Sequence, residues 1–367
     1  MNIGVGPDFR YDVNIERGEK MSDSMRVMSE KPLNAETPPE RLRSWVTAND
    51  VFFDRNQGQI PQEKIPLDQW SLTIEGKVKK PLKLSFEQIG ALPKAIVANT
   101  LECSGNSRSL LTKKASGNPW TIGGVGNAVW GGVGLAVLLQ EAGLTTRAAH
   151  VAFEGMDTPL GKAQISFVRS IPVEKAMAST LLAYEMNGEP LPLKHGYPLR
   201  ALALGWTGAN CVKWLNRITV LDKPYEGFFM DKVYRVFQPG QSPASGEVVT
   251  GIKLKSIVTQ PLPGEQRPAG RIVVLGAAYA GEERVAKVEV STDSGGTWQP
   301  AEFIGPDEPY AWRQWQFEYQ TDQAGEHALL CRATDRHGRQ QPETAEWNHL
   351  GYGNNGIREH GVTFQVV

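Results

Sequence analysis

The chain of 367 residues carries 39 Lys and Arg against 40 Asp and Glu, a formal net charge of −1. So balanced a chain, with its aromatics spread along it, presents neither a basic stripe for nucleic acid nor a patch for an anionic membrane, so a charged substrate must be met by local charge. No run approaches the ~18 consecutive apolar residues of a membrane span, because the longest small-apolar run, Val125 to Leu139, is broken by glycines, and no membrane insertion is expected.

Residues 1–39 are polar, rich in charge and end in Thr37-Pro38-Pro39, which reads as an arm wrapping the body of the protein without packing as an element of its own. No apolar core with a basic flank opens the chain, so no signal peptide is expected in it, and a mature secreted form would look the same. Ser71 to Val78 alternates apolar and polar and runs into Lys80-Pro81, a strand and a turn. Ser85-Phe86-Glu87-Gln88 carries a capping box for a helix that must stop before Pro93. Val97 to Glu102 is a strand candidate that delivers Cys103 to a loop at its carboxyl end, and loops held by strands are where chemistry concentrates.

Cys103 lies in Leu101-Glu102-Cys103-Ser104-Gly105-Asn106-Ser107-Arg108. The other cysteines, Cys211 and Cys331, are too distant in sequence for a zinc, iron-sulfur or CxxC motif, and three such residues make no disulfide framework. The thiol therefore acts alone or is a packed core residue. A thiolate is a soft ligand for a transition metal, and a neighbouring guanidinium favours its ionisation. Thiol hydrolysis is the competing chemistry; it needs a histidine such as His150 or His195, at a spacing that the sequence does not fix.

Leu135 to Ala142 has helical spacing closed by Gly143, and Val173 to Ala178 is a short helix after Pro172. Between them lie strands and Gly- and Pro-rich loops, an α+β pattern without βαβ alternation. The cluster Gly123-Gly124-x-Gly126 lacks a following fingerprint helix, which disfavours a nucleotide fold. Beyond Tyr234 short apolar alternations recur at 251–258, 270–278, 286–291, 312–319 and 327–333, separated by turn clusters such as Asp293-Ser294-Gly295-Gly296. That texture predicts an immunoglobulin-like β-sandwich. Pro239-Gly240 and Pro243 mark a linker. The domains expected are an N-terminal arm over 1–39, a catalytic domain over 40–240 and the sandwich over 246–367.

Several blocks taken together resemble the sulfite oxidase family. Thr100 to Arg108 resembles its molybdenum-ligand loop, and Phe52-Phe53-Asp54-Arg55-Asn56-Gln57 its Phe-Phe-x-Arg-Asn-His stretch. Trp120 to Gly124 and Trp130 to Val133, Leu182 to Pro192, His195 to Arg200 and Gly208 to Leu215 follow in family order. The resemblance covers roughly Asn49 to Tyr234, is looser towards the carboxyl end, and is closest in kind to bacterial haem-free sulfite dehydrogenases.

That resemblance implies a sulfite oxidase-type domain binding molybdenum-molybdopterin, with Cys103 as the metal ligand. It implies Arg55 and Arg108 as substrate arginines, Tyr234 as an active-site phenol and Trp120 as a wall of the substrate pocket. For the cofactor it implies His195, Arg200, Lys213 and Asp157, with Phe53 and Asn56 beside Arg55, and Cys211 in the matched Gly208 to Leu215 block. Two departures stand out: Gln57 replaces a family histidine and Leu350 a family arginine.

The implied reaction is oxidation of sulfite to sulfate. Electrons would pass singly to a separate c-type cytochrome, since the chain has no CxxCH haem motif. A homodimer joined through the sandwich and a periplasmic location follow from the same resemblance. A sulfane dehydrogenase of the same fold, nitrate reduction, and a non-catalytic scaffold with a decayed pterin site are the alternatives.

Overall fold

The computed structural model describes residues 25–162 and 164–367; the first 24 residues of the expected arm lie outside them. The described part of that arm is packed. Arg26–Glu30 and Leu33–Glu36 form a hairpin whose second strand pairs with Asp54–Arg55, and Asn34, Ala35, Glu36 and Thr37 are buried. Glu36 accepts from the Thr121 hydroxyl at 2.9 Å and Thr37 donates to the Val125 carbonyl at 3.3 Å, ties to the body that composition alone does not reveal.

Two five-stranded sheets build the body of the first region. In one, Ala95–Glu102 pairs along its whole length with Val125–Gly134, which is followed by Thr180–Met186; the latter also pairs with Arg200–Ala203. The other runs Leu82–Ser85, Ser71–Gly76, Leu215–Leu221, His150–Gly155 and Val168–Pro172. Between them lies a core that includes Leu72, Ile74, Leu138, Phe153, Leu182 and Ile218.

The α-helices are short; three, Phe86–Gly90, Leu135–Ala142 and Val173–Ser179, sit where the sequence pattern puts them, and Phe228–Asp231 was not anticipated. Phe86–Gly90 has its capping box formed by Ser85 and Gln88, and Leu135–Ala142 is closed by Gly143 at φ +67°, a left-handed position that favours glycine. The run from Val125 to Leu139 is thus a strand followed by a helix. Among the described residues no helix is long and apolar enough to cross a membrane.

The linker is the exposed turn between the paired strands Arg235–Val236 and Glu247–Val248. Beyond it lie nine strands in two sheets. In chain order they are Lys255–Gln260, Gln266–Arg267, Gly270–Tyr279, Val285–Ser291, Gln299–Pro300, Glu302–Ile304, Arg313–Thr321, Gly325–Asp335 and Val362–Val366. One sheet orders them first, third, seventh, sixth, and the other second, ninth, eighth, fourth, fifth. Their facing sides share one core that includes Val274, Trp315, Leu329 and Phe364. The stretch 251–254, expected as strand, is not one.

The two regions are fused by packing. Leu42, Trp45 and Val125 cluster with Ile257, Tyr279 and Trp312, and the Trp312 indole donates to the Trp45 carbonyl at 2.9 Å. Closer to the chemistry, Lys255 Nζ meets Glu102 Oε1 at 2.5 Å and the Tyr279 hydroxyl donates to the same oxygen at 3.0 Å, all three groups buried.

Candidate active site

Cys103 emerges where the strand Ala95–Glu102 ends, 7% exposed at the wall of a cleft. Asn106 makes the loop. Its backbone N–H donates to the Cys103 carbonyl at 2.8 Å, its side-chain amide donates to Glu102 Oε1 at 3.0 Å, and its side-chain oxygen accepts from Gly124 N at 2.9 Å. Ser107 takes the left-handed φ of +65° that turns the chain, an uncommon conformation for a residue other than glycine. It is held by its N–H to the Thr121 carbonyl at 2.7 Å, by His360 Nε2 at 2.9 Å from its hydroxyl, and by Asn354, which donates to its carbonyl at 2.8 Å.

Of the residues expected in the site, eleven line this cleft: Phe53, Arg55, Asn56, Gln57, Cys103, Asp157, His195, Arg200, Cys211, Lys213 and Tyr234. Two do not. Trp120 is fully buried and packs edge-on behind Phe53, ring centroids 6.2 Å apart, so it supports the wall without forming it. Arg108 stands one layer back, its Nε donating to the Leu350 carbonyl at 2.8 Å and its Nη1 to the Asn118 carbonyl at 2.6 Å. Gly105, Gly117 and Gly351 cage it, since a Cβ at any of them would collide with its side chain. Arg108 therefore acts on the cleft through its charge and not by lining it. Burial pushes the Cys103 thiol up, and Arg55 and then Arg108 pull it back towards the thiolate that a metal requires.

Arg55 is aimed by a residue that the sequence did not single out. Asn34, on the N-terminal hairpin, accepts from Arg55 Nη1 at 3.2 Å and from the Asn56 N–H at 3.0 Å. Tyr234 has φ +55° and receives a hydrogen bond on its hydroxyl from Gln57 Nε2 at 2.7 Å. Because the phenol accepts there, its own hydrogen is free to point into the cleft. Tyr352 was also missed; its ring stacks on Tyr234 with centroids 5.6 Å apart, and Leu350, at the family's arginine position, packs in the same cluster.

The far end of the cleft is cationic. Lys213 Nζ donates to the Lys194 carbonyl at 2.8 Å and also to Asn56 Oδ1; Arg200 Nη1 donates to the His195 carbonyl at 2.9 Å, while its buried Nε has no partner. Burial lowers Arg200 to about 10 and, with Arg200 and Arg55 as further opposing charges, Lys213 to about 7. Burial first, then Lys194 and Lys213, hold His195 neutral, with Nε2 at 2.9 Å from the Asn49 carbonyl. Asp54 and Asp157 are the acidic groups that act on Lys213 here, and burial raises both. Burial pushes the Cys211 thiol up and Arg200 opposes it, while its sulfur lies 3.9 Å from the Ala203 and Thr207 carbonyls.

An excess of desolvated cations, one with an unpartnered N–H, fits a bound anion such as the phosphate of a pterin cofactor. Among the described residues no three His, Cys, Asp or Glu side chains could cage a metal. A metal held by Cys103 must take its remaining ligands from elsewhere, as molybdenum does from a pterin.

Comparison with known proteins decides the family. Residues 57–229 match the oxidoreductase molybdopterin binding domain and residues 247–362 the Mo-co oxidoreductase dimerisation domain. Mitochondrial sulfite oxidase of Rattus norvegicus is 35% identical over 99% of this chain and 70% of its own length. The chain belongs to the sulfite oxidase family. Sulfite oxidase of Arabidopsis thaliana is 33% identical over 89% of the chain and 91% of its own length. The solved sulfane dehydrogenase SoxCD of Paracoccus pantotrophus superposes with a TM-score of 0.82 at 28% identity, covering 95% of this chain and 92% of that one. As a member of the sulfite oxidase family the protein is a molybdenum oxidoreductase whose cofactor is molybdenum-molybdopterin. The residues present fit it: Cys103 would ligate the metal, with Arg200, Lys213, His195 and Asn56 around the pterin and its phosphate.

The buried lysine gives a test that needs no turnover. Between about pH 7 and 10.5 the unfolded chain keeps Lys213 protonated while the fold does not, so the stability cost is full below about pH 7 and is relieved as pH rises. His195, lowered well below 6.5, acts only under that window. Relative to cofactor-free Lys213→Met, the melting temperature of cofactor-free wild type should therefore rise from about pH 7 to pH 9.5, a comparison in which the opposing buried thiols, present in both proteins, cancel. A wild-type slope in Lys213→Met would place that titration elsewhere.

Proposed function

We propose that the protein is a molybdenum-dependent sulfite dehydrogenase, converting sulfite and water to sulfate, two protons and two electrons. The observation that carries this reading is the convergence of Cys103, the Arg55 guanidinium and the Tyr234 hydroxyl on one cleft, with Arg108 charged behind it. Molybdenum-molybdopterin supplies the two-electron redox and oxygen-transfer chemistry. Arg55 binds the oxyanion, and charge-assisted hydrogen bonds of this kind contribute about 1.5–3 kcal/mol each. Tyr234, its acceptor side occupied by Gln57, directs its hydrogen at a substrate oxygen. Gln57 does not titrate near neutrality, so the orientation of the phenol persists across that range.

The electrons leave one at a time to a separate c-type cytochrome, in a periplasmic setting, as for the bacterial enzymes that the sequence resembles. Homodimerisation through residues 247–362 is supported by the match to a dimerisation domain. An immunoglobulin-like type for the second region is supported by its strand orders, which correspond to A-B-E-D facing A′-G-F-C-C′. The second reading, oxidation of a protein-bound sulfane, rests on the SoxCD superposition.

Purified holoprotein should reduce ferricyanide or cytochrome c on addition of sulfite, while oxygen consumption stays slow. Absence of sulfite-dependent reduction, with rapid reduction on addition of a persulfidated carrier protein, would select the sulfane reading.

A further inference from the structure

Arg169, on the strand Val168–Pro172, is a fully buried arginine outside the set described above as site residues. It makes no ion pair among the described residues. Nη2 donates to Asn210 Oδ1 at 3.0 Å, Nη1 donates to the Phe229 carbonyl, and the buried Nε has no partner. Burial lowers it only to about 10, so it stays charged at neutral pH. A buried cation without its own carboxylate is costly unless something nearby uses it.

What lies nearby is the active-site phenol. The Arg169 guanidinium carbon stands 5.2 Å from the ring centroid of Tyr234, Tyr352 stacks on that ring at an interplanar angle of 16°, and the Arg108 guanidinium carbon is 5.5 Å from the centroid of Tyr352. Two tyrosines are thus clasped between two guanidiniums. Phe167, two residues before Arg169, lines the cleft and packs edge-on against Tyr234. A cation over a desolvated aromatic face is attracted by the ring quadrupole, which fixes the ring plane.

We propose that Arg169 is a positioning residue that acts through Tyr234, clamping the phenol ring so that its hydroxyl is held toward the substrate cleft. The inference rests on the sulfite reading for its substrate, but the clamp itself is a property of the chain.

The test is a double-mutant cycle with Tyr234→Phe on holoenzyme, read as KM and kcat for sulfite and, without turnover, as the dissociation constant of sulfate from thermal shifts. Arg169→Gln should raise KM and the sulfate constant about tenfold, equivalent to about 1.4 kcal/mol, with kcat changed less than about twofold; in Tyr234→Phe the same substitution should have little effect. Arg169→Lys, which keeps the charge but loses the planar fork, should act in the same direction more weakly. Unchanged KM and sulfate affinity, an equal loss in both backgrounds, or a loss of melting temperature with KM unmoved would each overturn the proposal. If Arg169→Gln does not fold, the Arg169→Lys cycle decides by the same criteria. If wild-type holoenzyme fails to oxidise sulfite, the functional reading falls, and the sulfate constants alone decide the clamp.

Discussion

Cys103→Ser is expected to give a folded protein without sulfite-dependent electron transfer. The hydroxyl is close in size to the thiol, and the loop is shaped by Asn106, Ser107 and Gly124 through backbone and amide bonds that do not involve the sulfur. The melting temperature of the cofactor-free form should accordingly move little. Oxygen in place of sulfur removes a soft anionic ligand. Loss of an outer-shell partner alone typically costs about 10–100-fold in metal affinity or activity, so loss of the ligand proposed at Cys103 should exceed that range. Turnover comparable to wild type with molybdenum still bound would remove Cys103 from the metal.

Arg55→Gln should raise the KM for sulfite steeply. The guanidinium lines the cleft, whereas Arg108 is committed to the Leu350 and Asn118 carbonyls, so Arg55 is the arginine left to grip the substrate. Truncating one partner of a buried, hydrogen-bonded charge pair costs about 2–5 kcal/mol, a factor of about thirty to a few thousand. Asn34 keeps its bond from the Asn56 N–H at 3.0 Å, which does not involve the Arg55 side chain, so folding should be largely kept. Sulfite kinetics indistinguishable from wild type would show that the anion binds elsewhere.

Local sequence was a good guide wherever the structure is local. The capping box at Ser85, the helix closed by Gly143 and the strand ending in Glu102 each depend on neighbours a few residues away, and each formed as expected. The Cys103 loop and the Arg55 stretch were legible because their spacing is itself the motif. Asn34, Tyr352 and Arg169 were not. Each reaches the site from a distant part of the chain: a polar hairpin, a glycine-rich segment near the carboxyl end and the middle of a strand. Arg108 shows the converse limit. Its position in the motif was clear, but the Leu350 carbonyl and Gly351, more than 240 residues away, help to hold its side chain one layer behind the cleft.

The buried contact between Glu102 and the pair Lys255 and Tyr279 sets an order on the life of the protein. The carboxylate next to Cys103 finds its counter-charge in a strand made more than 150 residues later, and the Ser107 turn beside it is held by Asn354 and His360, later still. While the chain is emerging from the ribosome, the cysteine loop has no foundation to rest on. A chain cut before residue 255 should therefore lack both the counter-charge of Glu102 and the ties on the Ser107 turn, and should retain less molybdenum on purification than the full chain.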